Sequence, residues 1–119
     1  MRTRTQLKNI TDEVLHGAKV ILGDKLRKII LYGSYARGDF DNESDIDIMV
    51  LADVENEEIY PYDKEICEIT SRLGLDNNIV VSVFIKNYNH FYDWIDAVGF
   101  YKNVEKDGVV LYGPSARFI

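Results

Sequence analysis

Two β-compatible runs separated by twelve residues constrain this chain most. Ile29-Ile30-Leu31-Tyr32 stops at Gly33-Ser34, and Asp45-Ile46-Asp47 opens a run that becomes wholly apolar toward Leu51. Residues two apart on a strand project to the same face, so Asp45 and Asp47 point together while Ile46 and Ile48 enter the opposite layer. If the end of the first strand and the start of the second build one site, the two strands run antiparallel. Residues 35–44 then carry the chain around.

Such a site has a definite chemistry. Two converging carboxylates are hard oxygen ligands of the kind Mg²⁺ takes, the ion keeping waters and using substrate phosphates to complete its shell. Gly33 ends the first strand without a side chain and lets a phosphate approach the backbone, while Ser34 adds a hydroxyl and an amide. Arg37 lies in the connection. Its fork of donors either neutralises phosphate charge or pairs with Asp39, Asp41 or Glu43. Read blandly, Gly33-Ser34 is a turn and Asp45-Ile46-Asp47 the exposed edge of a strand. Matching glycine, serine and both aspartates at fixed spacing by chance happens on the order of once per several hundred chains of this size. The functional reading is therefore preferred.

The rest of the chain bounds what the site serves. At 119 residues, 46% hydrophobic and 29% charged, it fits one globular domain spanning 1–119. The longest apolar runs, such as Ile79 to Ile85, are far too short to span a bilayer. A net charge of −6 argues against broad nucleic-acid binding, since phosphate-tracking proteins carry a basic face. The mixed polar start argues against a secretory signal, and the single cysteine, Cys67, permits no internal disulfide and fits the cytoplasm. Cys67 is expected to be a helix residue near the core. His16 and His90 have no ligand-spacing partner, which argues against zinc.

Leu7, Ile10, Val14, Leu15, Ala18, Ile21 and Leu22 form one stripe on a first helix ending at Gly23. Glu55 to Leu73 reads as a second long helix ending at Gly74, with Pro61 in or before its first turn and the acidic run Asp53, Glu55, Glu57 and Glu58 at its solvated start. Ile79 to Ile85 is β-branched and reads as the third strand. Tyr88 to Lys106 should form one or two short helices broken near Gly99, and Gly108 to Pro114 a final short strand. The aromatic residues Tyr88, Phe91, Tyr92, Trp94, Phe100 and Tyr101 are expected to pack the core rather than stack on a base. Lys102 and Lys106 read as surface charges.

Gly33-Ser34, ten residues, then Asp45-Ile46-Asp47 resembles the signature of the polymerase-beta-like nucleotidyltransferase superfamily. The fuller string, Gly33-Ser34-Tyr35-Ala36-Arg37-Gly38-Asp39 followed by Ser44-Asp45-Ile46-Asp47, is similar to the minimal nucleotidyltransferases, many of which are antitoxins paired with HEPN-domain toxins. The resemblance implies an α/β (α+β) fold, a small mixed sheet packed with helices. It also implies Mg²⁺ on Asp45 and Asp47, and ATP phosphates at Gly33 and Ser34. The activity implied is transfer of AMP to a tyrosine of a partner toxin; binding the toxin without chemistry and transfer to a small hydroxyl compound are the alternatives. One departure stands out. Larger members carry a third carboxylate on the next core strand, where this chain offers Ser82, so the general base is unassigned. Asp76 could substitute only if that strand began earlier.

Overall fold

The computed structural model describes residues 4–117. Helix α1, Arg4–Leu22, buries Ile10, Val14, Ala18 and Leu22, the stripe its spacing predicts. Strand β1, Leu26–Tyr32, reaches back beyond the expected Ile29–Tyr32 run to Leu26, which is itself buried. A single-turn helix, α2 (Ser34–Arg37), follows, and β2 covers Ile46–Ala52.

The second long helix is displaced from its expected position. Residues Asn56–Glu58 form a 3₁₀ turn, and α3 spans Ile59–Asn77, passing through Gly74 to end at Asn78 in the left-handed conformation. Asn is the residue other than glycine that most readily takes that conformation, so it supplies the stop that the sequence reading gave to Gly74. Pro61 sits in the first turn of α3, where a missing amide hydrogen costs nothing. Asp53 pairs with Arg27 at 3.0 Å, and Glu55, Glu57 and Glu58 are exposed just before α3. Cys67 lies on the outer face of α3 and is exposed, contrary to the core position expected of it. The third strand, β3, is Val81–Asn87, with Ile79 buried ahead of it. Helices α4 (Tyr88–Asp93) and α5 (Gly99–Asp107) and strand β4 (Val109–Tyr112) complete the chain.

The sheet order is β3-β2-β1-β4. Strand β1 is antiparallel to β2, as one site built from their joined ends implies, and also to β4, while β2 is parallel to β3 through the α3 crossover. Strand alternation divides the core. Ile29 and Leu31, then Ile46, Ile48 and Val50, then Val81, Val83 and Ile85, pack beneath α1 and α3. Ile30, Tyr32, Met49 and Leu51 meet Phe91, Tyr101 and Val104 of α4 and α5 on the other face. Each aliphatic side chain so buried contributes about 1.5–3 kcal/mol, which makes the sheet the rigid base of everything attached to its ends.

Candidate active site

Tyr32, the last residue of β1, pairs across the ladder with Asp47, and Asp47 pairs in turn with Ser82 on β3. One row across the sheet therefore reads Ser82, Asp47, Tyr32, and the chain leaves its end directly into Gly33 and Ser34. Alternation turns Asp47 toward the α4/α5 face with Met49 and Leu51. Those two are fully covered, whereas Asp47 is only half-buried.

Gly33 has φ 77° and ψ −157°, a backbone region almost confined to glycine. The space its missing side chain leaves is occupied by a carboxylate: a Cβ on Gly33 would stand 2.5 Å from Asp47 Oδ2. The amides of Ala36 and Arg37 both donate to the Gly33 carbonyl at 3.1 Å, which starts α2 immediately and leaves the leading amides of its first turn without intrahelical partners. The stretch after α2 is held by contacts that the sequence reading missed. The Tyr35 and Phe40 rings stack with centroids 4.4 Å apart. Ser44 Oγ accepts from the Asp41 amide at 2.9 Å, and Asp41 Oδ1 accepts from the Glu43 amide at 2.8 Å. An aromatic residue inside a run otherwise rich in Asp, Gly and Asn was the available signal. This folded connection presents Asp45, exposed, just ahead of β2.

The electrostatics follow from that crowding. Burial first, and then the neighbouring Asp45 carboxylate, push the Asp47 pKa above the ordinary aspartate value, while Arg37 pulls it down. Burial and then the Asp47 charge push Tyr32 up to about 12, so its hydroxyl stays neutral. Of the partners the sequence left open for Arg37, the structure shows Asp39. The Arg37 Nε lies 3.2 Å from Asp39 Oδ2 in an exposed pair, and its charge is still felt at Asp47. Two carboxylates that repel each other, with a single guanidinium partly committed elsewhere, suit a bound cation. Among the described residues no group of three or more His, Cys, Asp and Glu side chains assembles a full cage. That donor set matches Mg²⁺, which keeps waters and accepts phosphate oxygens from a substrate.

Gly33, Ser34, Asp45 and Asp47 thus meet at one end of the sheet, as expected. Ser82 occupies the row position beside Asp47, and Asp76 lies exposed on α3, so neither places a third carboxylate on β3. Beside Asp45 opens a groove of about 970 Å³ between residues 42–45 and the end of α3 with Leu75, Ile79 and Val80. Among the described residues, Glu43 and Asp45 are the charged ones that line it. On the α4/α5 face the aromatic group divides. Phe91 and Tyr101 are buried, and Tyr88 and Tyr92 half-buried; Trp94 and Phe100 are exposed rather than packed away as expected.

A family model described as the nucleotidyltransferase domain matches residues 15–112, which includes every residue of this site. This chain belongs to that family. The nucleotidyltransferase is 34% identical over 103 residues to a candidate protein adenylyltransferase of Methanocaldococcus jannaschii, covering 84% of this chain and 92% of the relative. Two solved structures share the fold. A chain of a toxin–antitoxin crystal structure with AMP-PNP superposes with a TM-score of 0.54 at 24% identity, over 89% of this chain and 73% of that one. A chain from the complex of tri-AMPylated Shewanella oneidensis HEPN toxin with MNT antitoxin gives 0.51 at 21% identity, over 93% and 73%. The mixed sheet and helices of the nucleotidyltransferase are accordingly those of the polymerase-beta-like fold.

Proposed function

We propose that this nucleotidyltransferase moves AMP from ATP to a tyrosine of a partner protein, a toxin of the HEPN kind, and thereby acts as an antitoxin. The observation that carries the reading is the cross-strand pairing of Tyr32 with Asp47. It sets the Gly33-Ser34 turn beside both carboxylates, as in-line attack on a nucleotide phosphate requires. The M. jannaschii relative and the AMPylated toxin complex support the choice of AMP and of a protein acceptor.

In this reading the phenolic oxygen attacks the α-phosphorus. A phosphorus–oxygen bond forms to tyrosine, the bond to the β-phosphate bridging oxygen breaks, pyrophosphate leaves with the electron pair, and the phenolic proton passes to water. Asp45 and Asp47 would hold Mg²⁺, whose charge, when bound, offsets the negative charge growing on the phosphate oxygens. Gly33 keeps a side chain out of the path of the phosphates, Ser34 offers its hydroxyl, and Arg37 adds positive charge at the rim. The groove beside Asp45, with carboxylates as its charged groups among the described residues, favours a polypeptide over a second anionic substrate. Incubating the chain with ATP, Mg²⁺ and its partner and weighing the partner tests this. A mass increase of one adenylyl group that disappears with Asp45→Asn/Asp47→Asn is expected; no adduct overturns it.

Ser82 favours a second reading, in which the protein neutralises its toxin by binding alone, because no carboxylate stands opposite Asp47 on β3. Protection of cells by the double aspartate variant would select it.

A further inference from the structure

Among the described residues, the α4/α5 face of the sheet carries the exposed phenylalanines Phe84 and Phe100, and of these two Phe100 adjoins the phosphate turn. Phe100, second residue of α5, is 47% exposed, and its ring meets Tyr32 edge-on with centroids 5.6 Å apart. Tyr32 is the residue that pairs with Asp47 and leads directly into Gly33. Phe84 is 49% exposed on the same face, but it lies on β3 opposite Met49, on the far side of Asp47 from Gly33. A nucleotide whose phosphates lie along Gly33 and Ser34 with its α-phosphate toward Asp47 has an exposed aromatic ring of the α4/α5 face on its own side of the carboxylates. That ring is Phe100. A buried phenylalanine would be core; this one is fixed by Tyr32 and left half in water.

We infer that Phe100 is the stacking platform for the base of the nucleoside triphosphate, with Tyr32 as the ring that holds it in place. The inference rests on the nucleotide reading of the site and adds the base subsite to it. Because every base offers a π-face, this contact supplies affinity without choosing strongly among bases. A T-shaped contact with Tyr32 occupies no more than one face of the Phe100 ring, and the residue's exposure leaves the ring open to a base.

The test compares a non-hydrolysable ATP analogue with inorganic triphosphate, each titrated calorimetrically with Mg²⁺ into the full chain. Phe100→Leu keeps apolar bulk against Tyr32 but removes the π-face. It should weaken the analogue at least about fivefold and leave triphosphate unchanged. Phe100→Trp should bind the analogue at least as tightly as the parent, and Phe84→Leu should leave it unaffected. Analogue affinity unchanged in Phe100→Leu overturns the inference while the nucleotide reading stands. Equal weakening of both ligands overturns it too, because Phe100 would then act on the fold rather than the base. A parent that binds neither ligand removes the nucleotide reading, and this subsite with it.

Discussion

The Asp47 carboxylate occupies the volume that a side chain on Gly33 would need, with Oδ2 2.5 Å from the position of that absent Cβ. Glycine is required by its φ of 77°, and an added Cβ would also force the Asp47 carboxylate to move. Gly33→Ala should destabilise the fold by about 1–3 kcal/mol and abolish transfer. Denaturant unfolding checks the first effect and partner mass the second. Adding Asp47→Ala to Gly33→Ala should recover only part of the loss, since the backbone penalty remains when the carboxylate is gone.

Asp47 also sets the sign of a pH dependence. Its pKa is raised by burial and by Asp45, so the folded state holds its proton more tightly than the unfolded state does. The stabilising contribution is complete below the ordinary aspartate pKa near 3.8 and is lost as pH rises through the folded value. At neutral pH the ionised group therefore works against folding. Asp47→Asn should melt above the parent at pH 7, and the gap should close as pH falls to about 4. Thermal melts across that range decide it; a variant that melts lower at pH 7 refutes the assignment.

Divalent cations should act through the same pair. Ligand that binds only the folded state stabilises by about 2.7 kcal/mol at one hundred times its Kd. Mg²⁺ should raise the melting temperature of the parent and leave Asp45→Asn/Asp47→Asn unmoved. A shift of equal size in both proteins would place the cation elsewhere.

The features legible in the sequence were those set by local periodicity and by short connections. The stripe from Ile10 to Leu22 fixed α1, and a single site built from the end of the first run and the start of the second implied the antiparallel β1 and β2 that bring Gly33 to Asp47. What was not legible depended on contacts between distant segments. Gly74 looked like a helix end because glycine usually is one, yet the stop comes from Asn78. Phe100 looked like core because it sits among aromatic residues that are, and only the placement of α5 over the end of β1 leaves its ring open. Cys67 fell on the outer face because the buried stripe of α3 runs through Ile66, Thr70 and Leu73.

Gly74 carries a stability prediction of its own. Within a helix Gly→Ala ordinarily gains about 1 kcal/mol. Here a Cβ would come within 2.7 Å of the Ile79 carbonyl oxygen, a backbone atom of the segment leading into β3 whose amide already donates to the Gly74 carbonyl at 3.1 Å. Overpacking against backbone costs about 1–3 kcal/mol and outweighs the propensity gain. Gly74→Ala should therefore lower stability, measured by denaturant midpoint, with the mid-helix substitution acting opposite to its usual sign.

Ser82 offers the last test, because it stands beside Asp47 in the parallel register of β2 and β3. Ser82→Asp would add a like charge to a pair that already repels. Without divalent cation the variant should melt below the parent, most at neutral pH where the added charge faces Asp47, and recover toward pH 4. With Mg²⁺ the order of response should reverse. Three oxygen ligands bind the cation more tightly than two, so the Mg²⁺-induced rise in melting temperature should exceed that of the parent. A smaller rise would mean that the Ser82 side chain does not face the ion that Asp45 and Asp47 hold, and that β3 contributes nothing to the metal's surroundings.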